Sequence, residues 1–175
     1  MAHKYFLGVD VGATKTHALI ADETGQALGL ATGGPGNWQS VGFDGQRAVL
    51  QDVTRRALAF AGLRTDEISG AGFGIAGYDW PSQRESHLKV IESLGLVCPF
   101  ELANDSVIGL VAGASQGWGV AVIAGTGNNC RGRDKNGREG RITGEGIQFG
   151  EFGGGIEMAM RATQAISHEW SRRGP

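Results

Sequence analysis

Hydrophobic and polar positions in the first fifth of the chain predict strands before any helix. Apolar residues run through 4–11, 16–22 and 26–32, each run being short and bounded by polar or glycine residues. Between the second and third runs, Glu23-Thr24-Gly25 is typical of a hairpin turn. We therefore expect three antiparallel strands to open the fold.

A helical period then replaces the strand pattern. Apolar side chains recur at helical spacing over 45–61, and Pro81 in a first turn opens a second helix over 81–94. Strands are predicted at 71–76 and, starting near a proline that suits an edge position, at 97–102. A third helix follows the junction at 104–105, where an Asn or Asp can cap it. The order predicts an α/β fold with a mixed sheet.

The strand pattern restarts near residue 117. Strands are predicted at 118–124, 130–134 and 138–143, followed by a helix over 154–170. Glycines end the first strand of each set, at Gly12 and Gly125, and a turn glycine follows 13 and 12 residues later. We therefore expect one domain at 1–116 and a second domain of the same type at 117–175, which is incomplete because no further crossovers follow its helix.

Composition narrows the kind of partner. A net charge of -2 gives no general attraction for nucleic acid or an anionic membrane, and no apolar run reaches the length of a membrane span. Cys98 and Cys130 lack the spacing of a zinc or iron-sulfur site. We expect a cytoplasmic protein that binds a small molecule, and the sequence leaves a homodimer open.

Glycine, at 31 of 175 residues, is concentrated where strands end. The first such turn offers backbone N–H groups, two hydroxyls and a lysine to phosphate oxygens, and Asp10 before it can hold magnesium through water. Its predicted phosphate contacts are Gly12, Ala13, Thr14, Lys15 and Thr16. It is neither a Walker loop nor a dinucleotide turn, because neither glycine pattern is present. A second turn of the same kind supplies Gly125, Thr126 and Gly127.

The two turns, the Asn104-Asp105 junction and the run from Gly144-Glu145-Gly146 through Gly150-Glu151-Phe152-Gly153-Gly154 resemble one family in order along nearly the whole chain. It is the BadF/BadG/BcrA/BcrD-type ATPase family, within the actin-like ATPase and sugar kinase superfamily, and the likeness is greatest to its N-acetylglucosamine kinases. The resemblance implies two ribonuclease-H-like domains that hold Mg-ATP and a sugar. It implies transfer of phosphate to a hydroxyl of an amino sugar or hexose.

The resemblance also implies roles for individual residues. Asp105 matches the carboxylate that contacts the sugar hydroxyl and acts as base, while Asn37, Asn129 and Glu151 match polar contacts to the sugar. Two departures concern the sugar side: Asn128 stands where these kinases usually have Ser, and the run that begins at Glu151 replaces their usual Asp-Glu-Gly-Ser.

Two other functions remain open at this stage. The chain could be an ATPase that drives a conformational change in a partner, as activators of 2-hydroxyacyl-CoA dehydratases do with a cluster-binding cysteine. It could also be a noncatalytic sugar-binding regulator on the same scaffold, although retention of Asp10 and Asp105 argues against that role.

Overall fold

A computed structural model describes residues 3–142 and 146–174 and shows an α/β protein. The chain divides into two compact units, the first ending at Ile108 and the second beginning at Gly109. This division lies upstream of the domain boundary that the sequence predicts, and it falls inside the third helix.

The first unit is built around a five-stranded mixed sheet in the order β3-β2-β1-β4-β5. Its elements are β1 (Tyr5–Val11), β2 (Thr16–Asp22), β3 (Ala27–Gly33), α1 (Trp38–Ala61), β4 (Ile68–Ile75), α2 (Arg84–Glu92) and β5 (Phe100–Asn104), and α3 (Asp105–Gly113) begins in this unit. Strands β1, β2 and β3 are antiparallel neighbours, whereas β4 and β5 run parallel to β1. The carboxyl ends of three parallel strands therefore meet at one edge of this sheet.

The central strand β1 is anchored by alternate apolar side chains. Leu7, Val9 and Val11 are at most 2% exposed, and Leu50 and Val53 of α1 are buried in the same core. The first glycine turn follows the carboxyl end of β1. Burial of this strand in the hydrophobic core therefore stabilises the position of the turn. The strand pattern predicted from the sequence is confirmed here.

Helix α1 begins at Trp38, seven residues before the predicted start at Gly45. Asn37 caps it, since its side chain accepts a hydrogen bond from the backbone N–H of Gln39. Gly42, with φ 70° and ψ 172°, kinks the helix and hides its first turn from a periodicity argument. Although α1 is long, no helix within 3–142 and 146–174 is both long and apolar enough to cross a membrane.

Other boundaries also differ from the predicted ones, among them the start of β4, which lies at Ile68 rather than at residue 71. Strand β5 starts at Phe100, after Pro99, although the Pro99 carbonyl already accepts from the Ala71 N–H. The predicted helix over 81–94 is a 3-10 turn, Pro81–Gln83, followed by α2. In the second unit, the middle strand begins two residues before Cys130, so two asparagines that the sequence assigns to a turn belong to the strand.

The second unit contains a three-stranded antiparallel sheet and a helix. Its elements are β6 (Gly119–Ala124), β7 (Asn128–Arg133), β8 (Glu139–Ile142), a 3-10 turn (Ile147–Phe149) and α4 (Gly155–Trp170). None of the described residues of α4 is buried. Thr143 is predicted to end a strand, and Gly144 and Glu145 belong to the run that carries the family resemblance; all three lie outside the described residues.

The same five-residue turn joins the second and third strands of each unit. Asp22 Oδ1 accepts from the backbone N–H groups of Thr24 and Gln26, at 2.9 and 3.0 Å. Asp134 Oδ1 accepts from Asn136 and Arg138 in the same way, at 2.8 and 2.9 Å. In both turns the glycine N–H also donates to the aspartate carbonyl. The predicted similarity of the two halves therefore extends to individual hydrogen bonds.

Candidate functional site

The first glycine turn is a tight loop between β1 and β2. Its two ends are joined by the Gly12 N–H, which donates to the Lys15 carbonyl at 2.9 Å. Ala13, Thr14 and Lys15 are exposed, as is Asp10 near the end of β1. The turn thus presents backbone N–H groups, one hydroxyl, one ammonium and one carboxylate to solvent on a strand whose other side is buried.

Thr16 does not share that exposed position. Its side chain is fully buried, and its hydroxyl has no hydrogen-bond partner among the described residues. Thr16 pairs with Val11 across the hairpin. The Thr16 side chain therefore faces the protein interior in this structure, and its contact with phosphate stays a prediction.

The loop before α1 is attached to this hairpin. The Gly36 N–H donates to the Gly12 carbonyl at 3.1 Å, and Gly36 is buried. A Cβ added at Gly36 would lie 2.6 Å from Val11 Cγ1 and 2.7 Å from Thr16 Oγ1. Only glycine therefore lets this loop approach the hairpin, and the next residue, Asn37, lies near the first glycine turn.

A buried polar pair holds the same loop from the other side. Gln46 Nε2 donates to the Gly36 carbonyl at 2.9 Å, and Gln46 Oε1 lies 2.9 Å from His87 Nδ1. Because the amide oxygen faces the imidazole, Nδ1 carries the proton. Both side chains are fully buried, and the rings of Phe43 and Tyr78 meet His87 edge-on at 5.3 and 5.4 Å. Burial lowers the pKa of His87 from 6.5 to about 4, so the ring is neutral at physiological pH.

The loop after β4 connects Asn37 to the β5–α3 junction. Trp38 Nε1 donates to the Gly77 carbonyl at 2.8 Å, and a Cβ at Gly77 would lie 2.6 Å from Asn37 Oδ1. From the same loop, the Tyr78 carbonyl accepts from Asn104 Nδ2 at 3.2 Å. These contacts join residues about 25 to 40 positions apart along the chain, so no local pattern in the sequence predicts them.

Asp105 occupies the place that the sequence predicts for it. It is the first residue of α3, directly after β5, and its side chain is half-buried. Its Oδ1 accepts from the Ser106 N–H at 2.9 Å, and Asn104 Oδ1 accepts from the same N–H at 3.1 Å. Asn104 is buried, so it serves as the inner cap of α3 and Asp105 is the more accessible of the two. The carboxylate is therefore held at the carboxyl edge of the parallel strands, where open α/β sheets bind ligands.

The second glycine turn is held by backbone hydrogen bonds. The Gly125 N–H donates to the Gly127 carbonyl at 2.8 Å. The Gly125 carbonyl accepts from Gly155 at 2.8 Å, and the Thr126 carbonyl accepts from Ile156 at 3.0 Å. Gly154 is buried against this turn, where an added Cβ would lie 2.7 Å from Gly127 Cα. The start of α4 and the turn thus form one backbone-to-backbone contact.

The polar residues after this turn reach the loop before α4. Asn128 Nδ2 donates to the Phe152 carbonyl, and Glu151 Oε2 accepts from the Gly146 N–H at 3.0 Å. A cleft of about 200 Å³ lies between the turn and this loop. Its lining includes Thr126, Gly127, Asn128, Gly146, Glu151 and Gly154. Asn129 lies half-buried on β7 opposite Ile123, outside that lining.

The residue types of the first turn suit a nucleotide polyphosphate with a hydrated metal. Magnesium is usually held by one or two carboxylates together with substrate phosphates, and Asp10 supplies one exposed carboxylate beside the turn. Within the part of the chain that the structure describes, no three His, Cys, Asp or Glu residues group into a metal site. The available donors therefore fit an ion that arrives with its nucleotide.

Curated relatives agree with one another on the class of substrate. An N-acetylmuramic acid/N-acetylglucosamine kinase from Clostridium acetobutylicum is 33% identical over 171 residues, which cover 98% of this chain and 56% of the relative. An N-acetyl-D-glucosamine kinase from Dictyostelium discoideum is 28% identical over 189 residues, covering 100% of this chain and 58% of the relative. The chain spans just over half the length of these relatives.

A solved structure and a family model complete the comparison. A protein from Chromobacterium violaceum, provisionally named an N-acetylglucosamine kinase, superposes with a TM-score of 0.80 at 24% identity and covers 98% of this chain and 59% of its own. That likeness shows the fold. The model of the BadF/BadG/BcrA/BcrD ATPase family matches residues 7–175. With two glycine turns, the Asn104-Asp105 junction and this match in agreement, the chain belongs to the BadF/BadG/BcrA/BcrD ATPase family.

Proposed function

We propose that the protein is an ATP-dependent kinase that phosphorylates a hydroxyl of an amino sugar or hexose, with N-acetylglucosamine as the first candidate. The observation that carries the proposal is the placement of Asp105 at the start of α3 beside the buried Asn104. A carboxylate fixed at that edge can accept a proton from a bound hydroxyl. The names of the two curated relatives support a sugar as the acceptor.

Phosphoryl transfer requires the protein to position the reactants and to neutralise charge on the phosphates, more than to form covalent bonds with them. Asp105 would take the proton of the sugar hydroxyl, whose oxygen then bonds to the terminal phosphorus of ATP as the bond to ADP breaks. Thr14, Lys15 and the backbone of the first turn would hold phosphate oxygens. Magnesium, held through water by Asp10, would neutralise charge on the phosphates.

The remaining predicted contacts are those of the second glycine turn with the nucleotide and those of three polar residues with the sugar. Gly125, Thr126 and Gly127 would contact the nucleotide, and Asn37, Asn129 and Glu151 would contact the sugar. Glu151 already accepts a hydrogen bond from Gly146, so its carboxylate is oriented before a ligand binds. A cytoplasmic location and a homodimer remain predictions.

The test is ADP release by the full-length protein with a panel of hexoses and amino sugars, with and without magnesium. We expect sugar-dependent ADP release that is largest with an amino sugar. Release of ADP without any sugar would instead favour the partner-driving ATPase. Sugar binding by calorimetry with no ADP release would favour the noncatalytic regulator.

Asp105→Asn separates catalysis from helix capping. Asparagine caps a helix about as well as aspartate but cannot accept the proton, so turnover should fall roughly 10²- to 10⁴-fold while sugar affinity and folding are retained. Asp44→Asn, at an exposed position on α1, is the matched control and should leave turnover unchanged. Near-normal turnover by Asp105→Asn would remove this carboxylate from the mechanism.

A further inference from the structure

The amide of Asn104 is fully used by hydrogen bonds at the start of α3. Its Nδ2 donates to the Tyr78 carbonyl at 3.2 Å and to Asp79 Oδ1 at 3.1 Å. Its Oδ1 accepts from both the backbone N–H and the hydroxyl of Ser106. The residue is 3% exposed, so water does not replace these partners. The orientation of the amide is therefore fixed by what lies on either side of it.

Asp105 shares one of those partners with Asn104. The Ser106 N–H lies 3.1 Å from Asn104 Oδ1 and 2.9 Å from Asp105 Oδ1. Because two neighbouring oxygens converge on a single N–H, a shift of the Asn104 side chain changes where the first turn of α3 begins. The hydrogen bond of the Asp105 carboxylate is thus coupled to the one that Asn104 makes.

Asp79 is itself held by hydrogen bonds to a residue that follows it in the chain. Gln83 Oε1 accepts from the Asp79 N–H at 2.8 Å and from the Trp80 N–H at 2.9 Å. The loop is thereby clamped to the 3-10 turn that precedes α2. A hydrogen bond from an amide to an ionised carboxylate is stronger than one between neutral groups. Asp79 therefore fixes the orientation of the Asn104 amide through a hydrogen bond to its carboxylate.

We propose that Asp79 is a positioning residue for the reaction assigned to Asp105, which it controls through Asn104 and Ser106. This inference rests on the proposed kinase function. Asp79 orients the buried amide, the amide and Asp105 converge on one N–H, and the carboxylate that receives the proton is held where the sugar hydroxyl must lie. Misplacement of a reacting group by about 1 Å can cost on the order of 10²-fold in rate.

Two substitutions at Asp79 separate its hydrogen bond from its charge. Asp79→Ala leaves Asn104 Nδ2 without its charged acceptor, and we expect kcat to fall roughly 10- to 100-fold with the sugar KM within about 3-fold of wild type. Asp79→Asn keeps an oxygen that can accept from Asn104, so kcat should recover to within about 3-fold of wild type.

A double-mutant cycle tests whether the effect passes through Asn104. Asn104→Asp keeps an oxygen for the Ser106 N–H but sets a carboxylate against Asp79, and kcat should fall at least about 10-fold. Adding Asp79→Asn to that variant restores a donor facing an acceptor, so the pair should be more active than Asn104→Asp alone. Glu101→Gln, on the same strand as Asn104, is the control.

The measurements are steady-state kinetics and thermal melts of the full-length protein and its variants. A wild-type kcat in Asp79→Ala would overturn the proposal, as would a raised KM and lowered melting temperature at unchanged kcat, which indicate packing alone. A double variant no better than Asn104→Asp would also overturn it. If the wild-type protein released no ADP with any sugar, the proposed function would fail first, which distinguishes that result from an active wild type with an unaffected Asp79→Ala.

Discussion

The two glycine turns are chemically similar but physically supported in different ways. The first follows a strand whose Val9 and Val11 are 2% and 0% exposed, in the core of its unit. The second follows β6, whose Val120 and Val122 are 71% and 73% exposed. The second turn also has backbone hydrogen bonds to Gly155 and Ile156 at the start of α4. The first turn follows a buried strand, whereas the second turn is hydrogen-bonded to the start of a helix.

This difference teaches where each turn is vulnerable. Burial of apolar side chains is non-directional, so the first turn should be most sensitive to changes in the packing around β1. Backbone contacts are short and directional, so the second should fail when the start of α4 moves by a fraction of an ångström. Substitutions that disturb one kind of support and spare the other test whether the two turns are stabilised independently.

The largest expected effect concerns His87 and the pH dependence of the first unit. The unfolded chain takes up a proton near pH 6.5, while the folded ring stays neutral until about pH 4. The first unit should therefore lose stability as the pH falls from about 6.5 to about 4, by up to roughly 3 kcal/mol. Chemical denaturation across that range measures the loss.

His87→Asn is the variant that isolates this titration. Its amide nitrogen can take the place of Nδ1 and donate to Gln46, but it does not titrate. Stability should be lower overall and should lose the pH dependence between 6.5 and 4 that this ring causes. His168→Asn, at an exposed position on α4, should leave the dependence intact. A slope unchanged by His87→Asn would show that other groups cause it.

A smaller effect is expected from Gly36→Ala, which overpacks the support of the first turn. The added methyl would meet Val11 and Thr16 at 2.6 and 2.7 Å, and relief of such contacts typically costs about 1–3 kcal/mol. Gly34→Ala, with nothing within 4 Å of the added carbon, is the matched control. Thermal melts should separate the two variants, and equal melting temperatures would mean that the loop moves away freely.

The smallest effect on overall stability is expected from Gly154→Ala. The added carbon would lie 2.7 Å from Gly127 Cα, so the turn and the start of α4 must separate. Amide hydrogen exchange should accelerate at Gly155 and Ile156 while β1 and β2 keep their protection. Gly140→Ala, in open space on β8, should change neither. Loss of protection in β1 as well would contradict the independent support of the two turns.

Much of the first unit could be predicted because local signals are strong there. Alternating burial along β1 and β2, glycines at the turns and the strand-to-helix change at Asp105 all act over a few residues. The start of α1 was missed because the backbone at Gly42 interrupts the helical period. Long, regular segments are readable from sequence, whereas a kink hides the segment beyond it.

The site was predicted less completely, since its geometry depends on distant contacts. Gly36 lies against the buried Thr16, and Asp79 accepts a hydrogen bond from Asn104, the residue before Asp105. The pair of Gln46 and His87 spans 41 residues. No local sequence pattern predicts these hydrogen-bond partners. Two neighbouring signals could have helped: an Asp-x-x-x-Gln spacing at residues 79–83 and a glutamine on the apolar face of α1.

The aspartate turns at Asp22 and Asp134 have a consequence for insertions and deletions. Each carboxylate binds the N–H groups two and four residues ahead, so it measures the length of the turn. Adding or removing one residue there would slip the pairing of β2 with β3, or of β7 with β8, by one position. Because side chains alternate along a strand, such a slip would turn Ala31 outward and Leu30 inward. The hydrogen bonds of each aspartate thus fix the length of its turn. We expect homologues to differ in which residues form the turn far more often than in how many residues it contains.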